Sequence, residues 1–368
     1  MSYPVRIAVF IVLALVAGVV AAKGVAPDPR ATALIQELGL EASPTASRDL
    51  PGWQAPKRVV VAEADDDLLN RLRAAAPGVE IVAAAEGDAR TVQLAGAQVV
   101  IGLCDVDTLQ AAKALHWIQS WYVGVERCVA LPGLAERHVV LTNMQRASGI
   151  PIAEHAIAMV MTLARGLPQY ARQQHWQRGD TGAVRELTGR TLLVVGLGGI
   201  GTEVARRAHG LGMRVVATRN SSREGPDFVA RVGLSDELLA LAAEADVVVN
   251  CVPLTPATTD LFNGEFFAAM KPGGYFVNIA RGGSVVTGDL VAALRSGKLA
   301  GAGLDVTDPE PLPDGHPLWS MPNVIVTPHV AGASDLQEER SRIVVVENLR
   351  RYAAGEPLLN VVDIARGY

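Results

Sequence analysis

Short uninterrupted apolar runs recur along this chain, each a few residues long and each separated by a segment able to form a helix or turn. Arg58–Ala62, Val79–Ala84, Gln98–Leu103, Leu115–Gln119 and Val139–Thr142 form a first series. Thr191–Val195, Met213–Arg219, Asp246–Val252, Tyr275–Ala280, Gly303–Val306 and Val324–Thr327 form a second. Runs of this length without polar alternation predict strands buried on both faces, as in parallel sheets covered by helices. Helices are predicted at Ala31–Leu38, Thr202–Gly210 and Asp335–Ala354. One long helix is predicted over Glu154–Gln177, with a break at Gly166-Leu-Pro168. Strand–helix alternation throughout predicts an α/β fold.

The N-terminus differs in character. Arg6 precedes Ile7–Ala22, sixteen residues without a charge or strongly polar group, and Lys23 follows. This is shorter than the roughly 20 residues of a membrane-spanning helix and fits the apolar region of a signal peptide, with Val20-Ala21-Ala22 suited to cleavage. The expectation is export, to a periplasm for example. An uncleaved anchor, which would bring a membrane partner, and a cytoplasmic product are the alternatives. From Gly24 to Pro56 the prolines predict a linker or N-terminal extension.

At 368 residues the chain is long enough for two cores. Its net charge of −5 and lack of a basic tract argue against a nucleic-acid partner. Cys104, Cys128 and Cys251 form no metal-binding pattern. Cys104 and Cys251, at strand ends, read as small buried thiols, and pairing between two of the three is left open.

The run Thr191–Val195 leads straight into Gly196-Leu-Gly-Gly-Ile-Gly201. Strand, glycine loop and helix in this order hold the pyrophosphate of a dinucleotide. Gly196 makes the turn, Gly198 admits the phosphates, Gly201 lets the helix pack on the strand, and Gly199 and Ile200 complete the expected cofactor-binding loop; the positive end of the helix that follows faces the anion. An acid about 20 residues further on would hold the ribose 2′-hydroxyl of NAD. The chain instead reads Arg219-Asn-Ser-Ser-Arg223. Arg219 and Ser221 suit a 2′-phosphate, so NADP(H) is favoured and NAD(H) is the alternative.

Three charged residues close later strands, where open α/β sheets bind ligands. Arg281 presents a planar fork suited to the carboxylate and carbonyl of a 2-oxo acid. His329 is the residue type to deliver a proton, and a carboxylate such as Glu310 beside it favours the imidazolium and fixes the ring.

These segments resemble the D-isomer-specific 2-hydroxyacid dehydrogenases, which include the glyoxylate and hydroxypyruvate reductases. The resemblance runs from about Arg58 to Val362. It rests on the glycine loop, Pro253-Leu-Thr-Pro-Ala-Thr-Thr259, Asn278-Ile-Ala-Arg-Gly-Gly283, Gly303-Leu-Asp-Val-Thr-Asp-Pro-Glu-Pro-Leu-Pro313, His316-Pro-Leu-Trp319 and Pro322-Asn-Val-Ile-Val-Thr-Pro-His329. It implies two Rossmann-like, doubly wound parallel-sheet domains with the active site in the cleft: a nucleotide domain over 151–329, and a substrate domain from 57–150 with 330–368. It implies catalytic roles for Arg281, Glu310 and His329. Cofactor contacts are expected from Val252, Pro253, Thr258, Ala280, Arg281, Asp305 and His329, with Asp305 on the nicotinamide carboxamide. Val123 and Gly124, in Trp121-Tyr-Val-Gly-Val-Glu126, are expected to hold the substrate carboxylate with Arg281 and His329. Homodimers are the family habit. The loop Thr142-Asn-Met-Gln-Arg-Ala-Ser-Gly149 departs from the pattern and is a candidate for tuning the substrate. Two other readings are an NAD-linked dehydrogenase of a larger 2-hydroxy acid and a nucleotide-sensing binding module without catalysis.

Overall fold

A computed structural model describes residues 25–171, 173–178 and 184–368. The apolar segment Ile7–Ala22 lies outside the described residues. Among the described residues, no helix is long and apolar enough to cross a membrane.

The apolar runs form two parallel sheets. The first holds β1 (Arg58–Val61), β2 (Glu80–Ala83), β3 (Val99–Ile101), β4 (Trp117–Gln119) and β5 (Val140–Thr142), in the order β2-β1-β3-β4-β5. The second holds β6 (Thr191–Val195), β7 (Arg214–Thr218), β8 (Arg231–Gly233), β9 (Val247–Asn250), β10 (Gly274–Asn278), β11 (Leu299–Leu304) and β12 (Val324–Val326). Its order is β12-β11-β10-β9-β6-β7-β8. Every pairing within both sheets is parallel. Strands such as β6 and β9 are buried at every position, which is why their sequences show no alternation. The three-residue β8 was not predicted, being too short to register as a run.

The long helix starts earlier than expected, at Gly149 rather than Glu154, and runs to Ala164; the break falls at Gly166 as expected, and a separate short helix follows at Leu167–Ala171. Pro151 falls in the first turn, where no N–H is needed, so it does not delay the start. Gly166, at φ +63°, separates the two helices. The dinucleotide helix likewise begins early, at Gly199 rather than Thr202, because the glycine loop itself supplies its first turn.

The C-terminal helix Gln337–Ala354 returns to the first sheet. Val344, Val345, Leu349 and Tyr352 join Val59, Val61 and Trp117 in one buried cluster, with Tyr352 stacked on Trp117 at 5.0 Å between ring centroids. Arg342 of this helix grips Asp65 through both carboxylate oxygens, 2.8 and 2.7 Å. That bond, with the Leu68 N–H, lowers the Asp65 pKa from 3.8 to about 2. Within the linker or N-terminal extension the expected short helix forms, over Pro29–Leu38, and it is packed: it buries Ala31 and Leu34, Leu34 within this same cluster. Cys104 is not a free thiol: it forms a disulfide with Cys128, the Cα atoms 5.5 Å apart, while Cys251 stays free.

Candidate active site

The strand order of the second sheet reverses between β9 and β6, which leaves a crevice beyond their C-terminal ends. The glycine loop lines it. Gly196 has φ +98°, and a Cβ there would come within 3.0 Å of the Cys251 carbonyl and 3.1 Å of Val252 Cγ1 across the crevice. A Cβ on Gly201 would lie 2.1 Å from the Gly196 carbonyl oxygen, so only glycine lets the helix approach. A Cβ on Gly198 would meet nothing within 4 Å. The open space there is where a phosphate fits. Thr202 N–H donates to the Gly198 carbonyl at 2.9 Å, while the N–H groups of the first turn have no carbonyl inside the helix. These residues fit a dinucleotide.

The rest of the expected cofactor set lies along the same edge. The Val252 N–H donates to Asn250 Oδ1 at 3.1 Å. Thr258 Oγ1 donates to the Pro253 carbonyl at 2.6 Å and accepts from the Thr255 N–H at 2.8 Å, so its hydroxyl fixes the turn. Arg219, just past β7, donates to the Glu224 carbonyl at 3.3 Å, and Ser221 nearby is exposed. Arg223, at the end of the same loop, is paired with Glu237. Glu237 also takes Arg231 at 2.8 Å, and its pKa falls to about 2 through the Leu234 N–H and these arginines.

Because β12, β11 and β10 are neighbours, the residues that follow them share one edge. Arg281 follows β10, Asp305 and Glu310 follow β11, and His329 follows β12. His329 Nδ1 lies 2.8 Å from Glu310 Oε1, both side chains about half-exposed, at 49% and 42%. With Nδ1 paired, Nε2 is the nitrogen left to exchange a proton with a substrate.

His329 sits in the left-handed region at φ +55°, which a non-glycine residue holds only when its surroundings fix it. Asp305 does this. Its carbonyl accepts the His329 N–H at 2.9 Å, and its carboxylate accepts the N–H groups of Val330 and Ala331, both at 2.9 Å. Thr327 Oγ1 donates to the same carboxylate at 2.6 Å, and His155 Nε2 lies 3.0 Å from that hydroxyl. Asp305 is 2% exposed. Holding this turn is a role the sequence reading missed, as is the contribution of His155.

Arg281 is fixed from behind. Its carbonyl accepts Asn278 Nδ2 at 3.0 Å and Ser284 Oγ at 2.8 Å, and Asn278 is bonded to the buried Asn250. Its Nη1 donates to the Ala280 carbonyl at 2.6 Å, and the Ala280 N–H donates to Asn278 Oδ1 at 3.1 Å. The guanidinium then crosses to the loop after β4. Nη2 lies 1.5 Å from where a Gly124 Cβ would stand, so a side chain at position 124 would push the guanidinium off this part of the loop. Val123 is tied down by Asn143 Nδ2, which donates to its carbonyl at 2.8 Å. The structure therefore brings Arg281 together with the expected substrate loop.

Glu126, two residues beyond Gly124, pairs with Arg281 Nε at 3.0 Å. This carboxylate was not singled out from sequence, although its place just after the loop was a signal. It opens the short helix Glu126–Val129, which the Cys104–Cys128 disulfide staples to the loop after β3. Trp121 is wall: its indole N–H donates to the Ala62 carbonyl at 3.3 Å, and the ring fills the space over Gly102. Tyr122 is 64% exposed.

Residues 157–331 match the family described as D-isomer specific 2-hydroxyacid dehydrogenase, NAD binding domain. The chain is 36% identical over 264 residues to a human glyoxylate reductase/hydroxypyruvate reductase, covering 69% of this chain and 79% of that protein. It is also 36% identical over 264 residues to the D-3-phosphoglycerate dehydrogenase of Archaeoglobus fulgidus, of which it spans about half, 49%. A D-isomer specific 2-hydroxyacid dehydrogenase from Xanthobacter autotrophicus Py2, solved with NADPH and MES, superposes with a TM-score of 0.73 at 31% identity. That match covers 86% of this chain and 100% of the other. Two parallel α/β domains, the dinucleotide crevice and this similarity agree: the chain belongs to the D-isomer-specific 2-hydroxyacid dehydrogenase family.

Proposed function

We propose that this chain is a nicotinamide-dependent reductase of small 2-oxo acids, NADPH-preferring, with glyoxylate or hydroxypyruvate as first candidates. The observation that carries this reading is the convergence of Arg281 and the His329–Glu310 pair at one edge of the sheet beside the dinucleotide crevice. A bound nicotinamide coenzyme supplies the hydride-transfer chemistry. The chain's own residues do the rest. Arg281, seated on Gly124, orients the carboxylate and carbonyl oxygen of the acid. His329 delivers a proton to the carbonyl oxygen, and Glu310 holds the imidazole toward it. Support for the substrate class comes from the human relative named above. A Sinorhizobium meliloti enzyme titled an NADPH-dependent glyoxylate/hydroxypyruvate reductase, solved with NADP and sulfate, adds to it: TM-score 0.73, 29% identity, 85% of this chain and 100% of that one.

NADPH preference rests on Arg219, whose guanidinium lies past β7 and, among the described residues, has no acid side chain as a hydrogen-bond partner. A charge-assisted contact to a 2′-phosphate contributes about 1.5–3 kcal/mol, or roughly 10–150-fold in affinity. Arg219→Asp is expected to weaken NADPH by that order and to favour NADH. Dissociation constants for both reduced coenzymes test this. Equal losses for the two, or a parent that already prefers NADH, would contradict it.

Export belongs to the same proposal. It rests on the leader-like segment 7–22, and the Cys104–Cys128 disulfide suits an oxidising compartment. Homodimeric assembly is carried over from the family habit.

A further inference from the structure

We infer that Arg146 is a further cofactor-binding residue, its guanidinium taking the coenzyme pyrophosphate and resting on Glu41 when no coenzyme is bound. The inference rests on the dinucleotide reading of the crevice and extends it to a residue outside the glycine loop.

Arg146 lies in the segment Thr142–Gly149, which leads from β5 into the helix Gly149–Ala164. It adopts φ +66°, a conformation that non-glycine residues rarely hold. The position is pinned by its surroundings, since the Gly149 N–H donates to the Arg146 carbonyl at 3.0 Å and the Ala147 N–H to Met144 at 3.1 Å. Held this way, the side chain runs over the first residue of the dinucleotide helix. Arg146 Cγ lies 2.8 Å from where a Gly199 Cβ would stand, and its Cα and N lie 3.6 Å from that point. Gly199 therefore has a purpose separate from the other glycines: it leaves room for an arginine from the other sheet's exit loop.

The location decides the ligand chemistry. Gly199 opens the helix whose free N–H groups and positive dipole end face the crevice. A cationic fork within one side-chain length of that point matches a pyrophosphate, which accepts paired N–H bonds from a guanidinium. The guanidinium ends on Glu41, beside Gly39. Glu41 belongs to the N-terminal extension, whose backbone is fixed there by the Asn360 N–H donating to the Glu41 carbonyl at 2.9 Å. The Glu41 side chain is 75% exposed and that of Arg146 is 31% exposed. An ion pair this exposed contributes little, so the arginine can exchange partners at small cost. Arg219 stands at the opposite, adenosine-ribose end of the site. The two arginines therefore predict different signatures: Arg219 discriminates between coenzymes, whereas Arg146 does not.

Calorimetric titration of the full chain with NADPH, NADH, ADP and adenosine 2′-monophosphate tests this. Arg146→Ala is expected to weaken NADPH, NADH and ADP alike by about 10–150-fold. Adenosine 2′-monophosphate, which has no pyrophosphate, should stay within about twofold. Arg146→Lys keeps the charge without the fork and should fall between, and it serves as the test if the alanine variant melts far below the parent. Glu41→Gln should tighten the three pyrophosphate ligands. Parent-like binding of all three by an Arg146 variant overturns the inference, and so does a loss confined to NADPH, which would move Arg146 to the 2′-phosphate. A parent that binds none of them would instead overturn the dinucleotide reading itself.

Discussion

Replacing His329 with alanine is expected to cut turnover in carbonyl reduction by about 10²–10⁴-fold while coenzyme affinity stays nearly unchanged. The size follows from removing a positioned general acid. The selectivity follows from the site, since His329 stands at the half-exposed end of β12 and the glycine loop stands at the end of β6. Glu310→Gln keeps a side chain within reach of Nδ1 but removes the charge 2.8 Å from it. A neutral amide holds the ring less firmly than the carboxylate, so turnover should fall while coenzyme affinity holds. Turnover numbers and coenzyme dissociation constants of both variants check this. A Glu310→Gln variant with the parent's turnover would remove Glu310 from the mechanism.

Arg281 carries the second large effect. On the proposed reading Arg281→Ala removes the donor that faces the developing negative charge on the carbonyl oxygen, and it is expected to cost about 10²–10³-fold in kcat/KM. Arg281→Lys should recover only part of it. A lysine keeps the charge but cannot bond the Ala280 carbonyl, Glu126 and a substrate at once through a planar fork. Steady-state kinetics of the two variants, with coenzyme dissociation constants alongside, separate substrate orientation from damage to the dinucleotide site. Parent-like efficiency in the lysine variant would show that bidentate orientation is not the role of Arg281.

The parts legible in the sequence are those whose cause is local. A parallel strand covered on both faces must be apolar along its whole length, so β6, β9 and β10 announced themselves. The glycine loop carries its mechanical reasons in its spacing, and residues just past strand ends inherit a common edge from the fold. What escaped depends on contacts between distant segments. Nothing near Glu126 in the chain says that Arg281 will lie on Gly124, and nothing near Arg146 says that its stem will cross Gly199. The Asp305 carboxylate illustrates a middle case. Its position in the motif was noticed, but its grip on the His329 turn appears only when β11 and β12 lie side by side. The helix was expected only from Glu154, yet it starts at Gly149, since a first turn accommodates both Gly149 and Pro151.

The most direct measurement of the central claim is coenzyme consumption by the purified chain with glyoxylate, hydroxypyruvate and larger 2-oxo acids, each with NADPH and with NADH. The expected result is rapid oxidation of NADPH with the two small acids, slower oxidation with NADH, and loss of the reaction in Arg281→Ala and His329→Ala. Coenzyme that binds tightly to the chain but is not oxidised in the presence of any 2-oxo acid would contradict the account.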